Sequence, residues 1–203
     1  MSARAAASSR SSLTLVVLAL LFESPMHPYR MQKLIKERGQ DKLVNVKSRQ
    51  SIQQTVERLE RDGLVASSGS TQSGRYPQRT IYTLTKDGRA ELMGSLHRRL
   101  AQPADEYPLF PAALAFLAVT TPEAAAELLT ERHSRLASEL ADLREATAAA
   151  STSLSRVFLI ENDYAIAIKE AELNWLARTI AALNSGELSW NTQELIEAQP
   201  QDP

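Results

Sequence analysis

The chain contains no cysteine. That absence removes disulfides, thiolate chemistry and cysteine-ligated zinc, and leaves a reducing compartment permitted. Histidine is scarce, with three in 203 residues, and His27, His97 and His133 fall in three separate elements. No glycine-rich phosphate loop, metal-ligand cluster or nucleophile elbow is present. The sequence therefore predicts no enzyme, no cofactor and no metal site. The apolar run Leu13–Phe22 covers about ten residues, too few to span a bilayer. With Arg4 and Arg10 before it, the run has the outline of a signal peptide, yet Glu23 follows at once and no small-x-small cleavage site comes after it. The favoured reading is a first helix buried on nearly all sides, behind an Ala/Ser/Arg tail.

What is present is a divided charge. The formal net charge is -1 and hydrophobic residues make up 43% of the chain, enough for a core. Residues 1–100 hold 17 Lys+Arg against 8 Asp+Glu, a net of +9, whereas residues 101–203 hold 6 against 16, a net of -10. Asymmetry of this size points to two jobs, with a polyanionic partner on the basic side.

Punctuation and periodicity then place the elements. Ser11 or Ser12 caps a first helix over about 13–23, which Ser24-Pro25 stops. Pro28 opens a second helix and Gly39 ends it. A third helix starts from a cap at Ser48 or Ser51, where Ser51-Ile-Gln-Gln54 fits a capping box, and Gly63 ends it. Its Ile52, Val56 and Leu59 form one buried stripe, leaving Gln50, Gln53, Gln54 and Glu57 outward. Strands are expected at Leu64-Val65 and Thr80–Leu84 around a turn marked by Gly69, Ser70, Ser73 and Gly74. Thr85 caps a fourth helix reaching about Ala101. This order is that of a winged helix-turn-helix.

Behind it, Gln102–Pro111 reads as a stiff connector, followed by a short apolar helix near Ala112–Val119. Thr121-Pro122-Glu123 is a helix start with cap, proline and acid in sequence, and that helix continues to about Ala150. Leu129, Leu136 and Leu143, with His133 and Leu140 between them, form an a/d seam; His133 there reads as a core or pH-sensitive interface residue. Ser151–Ser155 breaks the helix, and a last one runs from about Leu154 to Leu183, ended by Gly186. Each long helix spans roughly 40–45 Å. So small a domain has no place to bury such a seam, and a second copy is the economical partner. The expected organisation is a tail (1–11), a winged helix-turn-helix (12–101), a connector (102–111), a helical dimerisation domain (112–186) and a C-terminal tail (187–203). The fold class is mainly α with a small β-hairpin wing.

The third helix is the candidate recognition helix, entering the major groove with its N-terminal part. Gln50, Gln53 and Gln54 both donate and accept, which suits adenine edges. Lys47, Ser48 and Arg49 stand beside them for phosphates, or, for Arg49, a guanine. Arg75 and Arg79 flank the wing tip and fit a minor groove or phosphate, with Tyr76 to stack, and Tyr29 is placed to reach a phosphate.

Three stretches resemble the PadR family of transcriptional regulators, in the subgroup with a long helical C-terminal domain. They are His27-Pro28-Tyr29, the run Val56–Val65 ending in Arg61-Asp62-Gly63-Leu64-Val65, and Ile81-Tyr82-Thr83-Leu84-Thr85-Lys86-Asp87-Gly88. A looser likeness runs through Phe110–Leu117 and Pro122-Glu123, so the resemblance covers about residues 12–185. The chain departs from the family's pattern at Pro28, where a glycine usually precedes the tyrosine, and at Ile52-Gln53, where a leucine-tyrosine pair is usual. The resemblance implies a cytoplasmic homodimer, on the nucleoid when bound, that binds a pseudo-palindromic operator in double-stranded DNA, usually as a repressor. It also implies a small apolar or aromatic effector; Phe116, Phe158 and Trp175 are the candidate walls of its site, between the dimer domain and the first helix. The competing reading is a helical adaptor whose winged helix contacts protein, which predicts only weak, nonspecific DNA binding.

Overall fold

The computed structural model describes residues 11–42, 44, 49–71, 79–103 and 106–193. The chain divides into two compact units, Met1–Asp105 and Glu106–Pro203. In the first, α1 (Ser12–Glu23), α2 (Pro28–Glu37), a 3-10 turn (Gln40–Lys42), α3 (Arg49–Arg61), β1 (Val65–Thr71), β2 (Arg79–Leu84) and α4 (Lys86–Ala101) follow in order.

The apolarity of α1 has its cause within this unit. The helix packs on α3, α4 and β2, and Leu13, Val17, Leu18, Leu20 and Leu21 join one core with Met31, Ile35, Ile52, Val56, Leu59 and Leu92. A helix with neighbours on three sides needs no polar stripe. Its one polar interior residue, Thr14, is buried and accepts a hydrogen bond from the Arg58 guanidinium at 2.8 Å. Phe22, at the exposed end, lies under the Arg89 guanidinium, 4.5 Å from its ring centroid.

The helix ends differ in part from expectation. Ser11 is the N-cap of α1, but its side chain makes no capping bond. His27 caps α2: its Nδ1 accepts the Tyr29 N–H at 3.0 Å, with Pro28 in the first turn. Ser51 is not a cap. It lies inside α3, its carbonyl taking the Thr55 hydroxyl at 2.7 Å, so the capping box does not form; Ser48 lies outside the described residues. Gly39 and Gly63, at φ of +66° and +73°, stand past the ends of α2 and α3, where the left-handed turn favours glycine. Thr85 performs two tasks. Its hydroxyl accepts the Gly88 N–H at 3.0 Å and donates to the Gly63 carbonyl at 2.8 Å, joining the start of α4 to the end of α3.

The wing is an antiparallel pair with Val65 opposite Leu84, Ser67 opposite Tyr82 and Thr71 opposite Arg79, and its register shifts between Ser67 and Ser70. β1 therefore runs through Gly69 and Ser70, which the sequence placed in the turn. Met26, before α2, pairs with Tyr82 through reciprocal backbone bonds of 3.0 and 3.1 Å, so β2 is held by the helical body as well as by β1.

The second unit contains α5 (Leu109–Ala115), a 3-10 turn (Leu117–Val119), α6 (Pro122–Ser151), a 3-10 turn (Arg156–Phe158) and α7 (Ile160–Ser185). α5 starts earlier than expected, so Leu109–Pro111 belongs to a helix rather than to the connector; Pro111 sits in the first turn, where its missing N–H leaves no helical bond unmade. Thr121 caps α6 by accepting the Ala124 N–H at 3.3 Å. The hydroxyls of Ser151 and Thr152 bond back to the Ala148 and Ala149 carbonyls at 2.7 and 2.8 Å and turn the chain out. α7 accordingly begins at Ile160, six residues later than the pattern suggests. The segment after Gly186 is not a loose tail as far as Gln193. Trp190 Nε1 and the Thr192 hydroxyl both donate to the Thr120 carbonyl, at 2.7 and 2.9 Å.

α6 and α7 form an antiparallel helical hairpin, and it accounts for most of the expected seam. Leu129 and Leu136 pack with Ala125, Ala126, Leu176 and Leu183. Leu140 is also buried, while His133 and Leu143 are half-buried. Arg132–Glu172 and Lys169–Glu139, each at 2.6 Å, and Arg144–Glu170 cross between the helices. The reason for expecting a second copy, that the seam had nowhere to go within the chain, is thus incorrect: α7 covers it.

Candidate nucleic-acid interface

The site is built on α3. Ile52, Val56 and Leu59 are fully buried and fix one side of the helix to the core of the first unit. Gln50, Gln54, Glu57 and Arg61 are exposed, and their spacing of four, three and four places them in one stripe on the opposite side. Gln53 stands apart: it is half-buried, and its amide donates to Glu57 Oε1 at 2.8 Å. Burial raises the Tyr82 hydroxyl above its ordinary pKa; the Glu60 carboxylate pushes the same way, a hydrogen bond with Gln53 opposes, and Glu57 adds a smaller upward push. Tyr82 therefore stays a neutral phenol facing the polar side of α3. Glu60 accepts the Ser67 N–H of β1 at 3.1 Å.

Of the expected contact residues, Gln50 and Gln54 lie on the open stripe, and Tyr29 is exposed at the start of α2. The expectations on Lys47, Ser48, Arg75 and Tyr76, and on the side chains of Arg49 and Arg79, lie outside the described residues; by backbone, Arg49 opens α3 and Arg79 opens β2. Sequence reasoning missed Glu60 and Tyr82, whose partners are on another element. It also missed the paired ends of α1 and α2, where Arg38 grips Glu23 through two bonds of 2.6 and 2.8 Å. That contact holds the Glu23 carboxyl below its ordinary range.

The three expected effector-site aromatics do not come together within one chain. Phe116 precedes α6 and Phe158 follows it, so the length of a 30-residue helix, about 45 Å, separates their ends. Both are largely exposed. Trp175 is half-buried, edge-on to Phe110 with centroids 6.1 Å apart, and Phe110 in turn carries the Arg132 guanidinium on its face. A groove of about 670 Å³ in this unit runs past Pro122, Glu127, Glu131 and Leu183, and none of the three lines it. Among the described residues there is no group of side chains able to hold a metal ion, and no helix long and apolar enough to cross a membrane.

Comparison with known proteins places this geometry. The Bacillus subtilis PadR structure in complex with operator DNA superposes with a TM-score of 0.67 at 20% identity, over 84% of this chain and 97% of that one. The Bacillus subtilis PadR structure with p-coumaric acid gives 0.66 at 19%, over 85% and 98%. The Vibrio cholerae virulence activator AphA gives 0.64 at 20%, over 86% and 99%. At these identities the likeness is one of fold, and it spans both units. No curated protein matches the chain. Residues 17–93, from α1 through the wing into α4, match the family described as the transcriptional regulator PadR-like family.

Proposed function

We propose that the chain is a homodimeric, sequence-specific DNA-binding regulator that acts as a repressor at a pseudo-palindromic operator and is released by a small aromatic molecule. The observation that carries the DNA reading is the α3 stripe of Gln50, Gln54, Glu57 and Arg61 over a fully buried Ile52–Val56–Leu59 side, beside a wing, in a half with a net charge of +9. A polar stripe rigidly backed by core is what a major-groove reader requires.

Dimerisation finds its support in the apolar surface that the hairpin leaves open. Phe116 and Val119 are exposed before α6; Val157, Phe158, Ile160, Tyr164 and Ile168 are exposed around the start of α7. The two groups lie toward opposite ends of the hairpin, so a two-fold axis across it seats each on the other's counterpart in a second copy. Such a dimer presents two α3 helices to two half-sites. Support for an aromatic effector comes from the likeness to the Bacillus subtilis PadR structure solved with p-coumaric acid; the groove beside α6, lined by Glu123, Glu127 and Glu131, does not suit such a carboxylate.

The test is a gel shift with the duplex upstream of the chain's own gene, at two salt concentrations, with random competitor DNA. Binding that survives competitor, weakens steeply with salt and is lost in the Arg49→Ala, Gln54→Ala double variant is expected. Binding that competitor abolishes equally for both proteins would sink the specific reading and favour the adaptor.

A further inference from the structure

Glu60 lies on α3, yet its carboxylate is spent on the wing. It accepts the backbone N–H of Ser67, the residue opposite Tyr82 and the last before the register shift in β1. An edge strand offers N–H groups with no ladder partner, and here the helix supplies the acceptor. Tyr82 is held from two sides, by Ser67 across the ladder and by Met26 through both backbone bonds, and the Gln53 side chain bears on its hydroxyl, lowering its pKa against the effect of burial. Gln53 is itself held by Glu57.

We propose that Glu60, with Gln53 and Tyr82, is a positioning set that locks the wing to α3, so that helix and wing meet DNA as one body. Gln53 then belongs to the lock and not to the base-reading set, which leaves Gln50 and Gln54 as the readers on this helix. The proposal rests on the DNA-binding reading for its consequence, but the lock itself is a property of the free protein.

The experiment compares wild type with Glu60→Gln, Glu60→Ala, Gln53→Ala and Tyr82→Phe. Amide hydrogen exchange at Ser67 is read without DNA. Affinity is read by fluorescence anisotropy on the upstream duplex at several salt concentrations. Glu60→Gln keeps an acceptor oxygen and is expected to match wild type in both. Glu60→Ala is expected to speed Ser67 exchange and weaken binding, each roughly tenfold, with the salt slope unchanged because no phosphate contact is lost. Gln53→Ala and Tyr82→Phe, which spare the core ring, are expected to weaken binding by a few fold without altering base preference. Equal behaviour of Glu60→Gln and Glu60→Ala would reduce Glu60 to a charge, and unchanged Ser67 exchange in Glu60→Ala would remove the lock. A base preference that changes in Gln53→Ala would return Gln53 to the readers. If wild type binds no duplex, the DNA reading fails, while the exchange data still decide the lock.

Discussion

At the scale of single residues, Gly88 is the most tightly enclosed glycine among the described residues. A Cβ there would stand 1.9 Å from the Leu64 carbonyl oxygen and 2.8 Å from the Leu84 side chain, and backbone cannot yield as a side-chain tip can. Gly88→Ala is expected to lower stability by about 3 kcal/mol, read as a fall in the urea midpoint with an unchanged slope. A second prediction concerns pH. The Arg38 hydrogen bond lowers the Glu23 carboxyl below its ordinary value in the folded chain. The pair's contribution is thus present above the unfolded pKa and lost as pH falls through the lowered folded one. The stability gap between wild type and Glu23→Gln should be widest at neutral pH and close below about pH 4; a gap that is flat with pH would contradict the assignment. Residue by residue, the sequence showed what one helix turn determines: the Ile52, Val56, Leu59 stripe and the Thr85 and Thr121 caps. It did not show Arg58 with Thr14, 44 positions apart, or Glu60 with Ser67, because a polar side chain's partner on another element is chosen by the tertiary fold.

At the scale of elements, the first unit was legible nearly throughout, since glycine, proline and a 3.6-residue period mark its boundaries. The hairpin was legible in its period but not in its partner. A heptad seam states that a helix will pack, and is silent on whether the mate is α7 of the same chain or a helix of another. The ambiguity gives a paired prediction. Leu176→Ala, at a fully buried position between α6 and α7, should cost about 2–5 kcal/mol in unfolding measurements. Ile168→Ser, at a position 51% exposed, should leave secondary structure intact while lowering the mass seen in light scattering from twice 22.4 kDa toward 22.4 kDa. A mass that stays at the single-chain value in wild type would contradict the dimer.

At the scale of the whole molecule, the division of charge and the division of the fold coincide. The basic half carries the helix and wing proposed to meet DNA, and the acidic half carries a helical hairpin with open apolar ends. We propose that two copies join through the acidic half and read two related half-sites with α3. Hydroxyl-radical footprinting of the saturated complex on the upstream duplex tests this most directly. Two protected patches are expected, symmetric about a dyad and separated by about one helical turn, or a whole multiple of it, with Gln50→Ala, Gln54→Ala erasing both together. A single unsymmetrical patch, or uniform weak protection that follows no sequence, would contradict it.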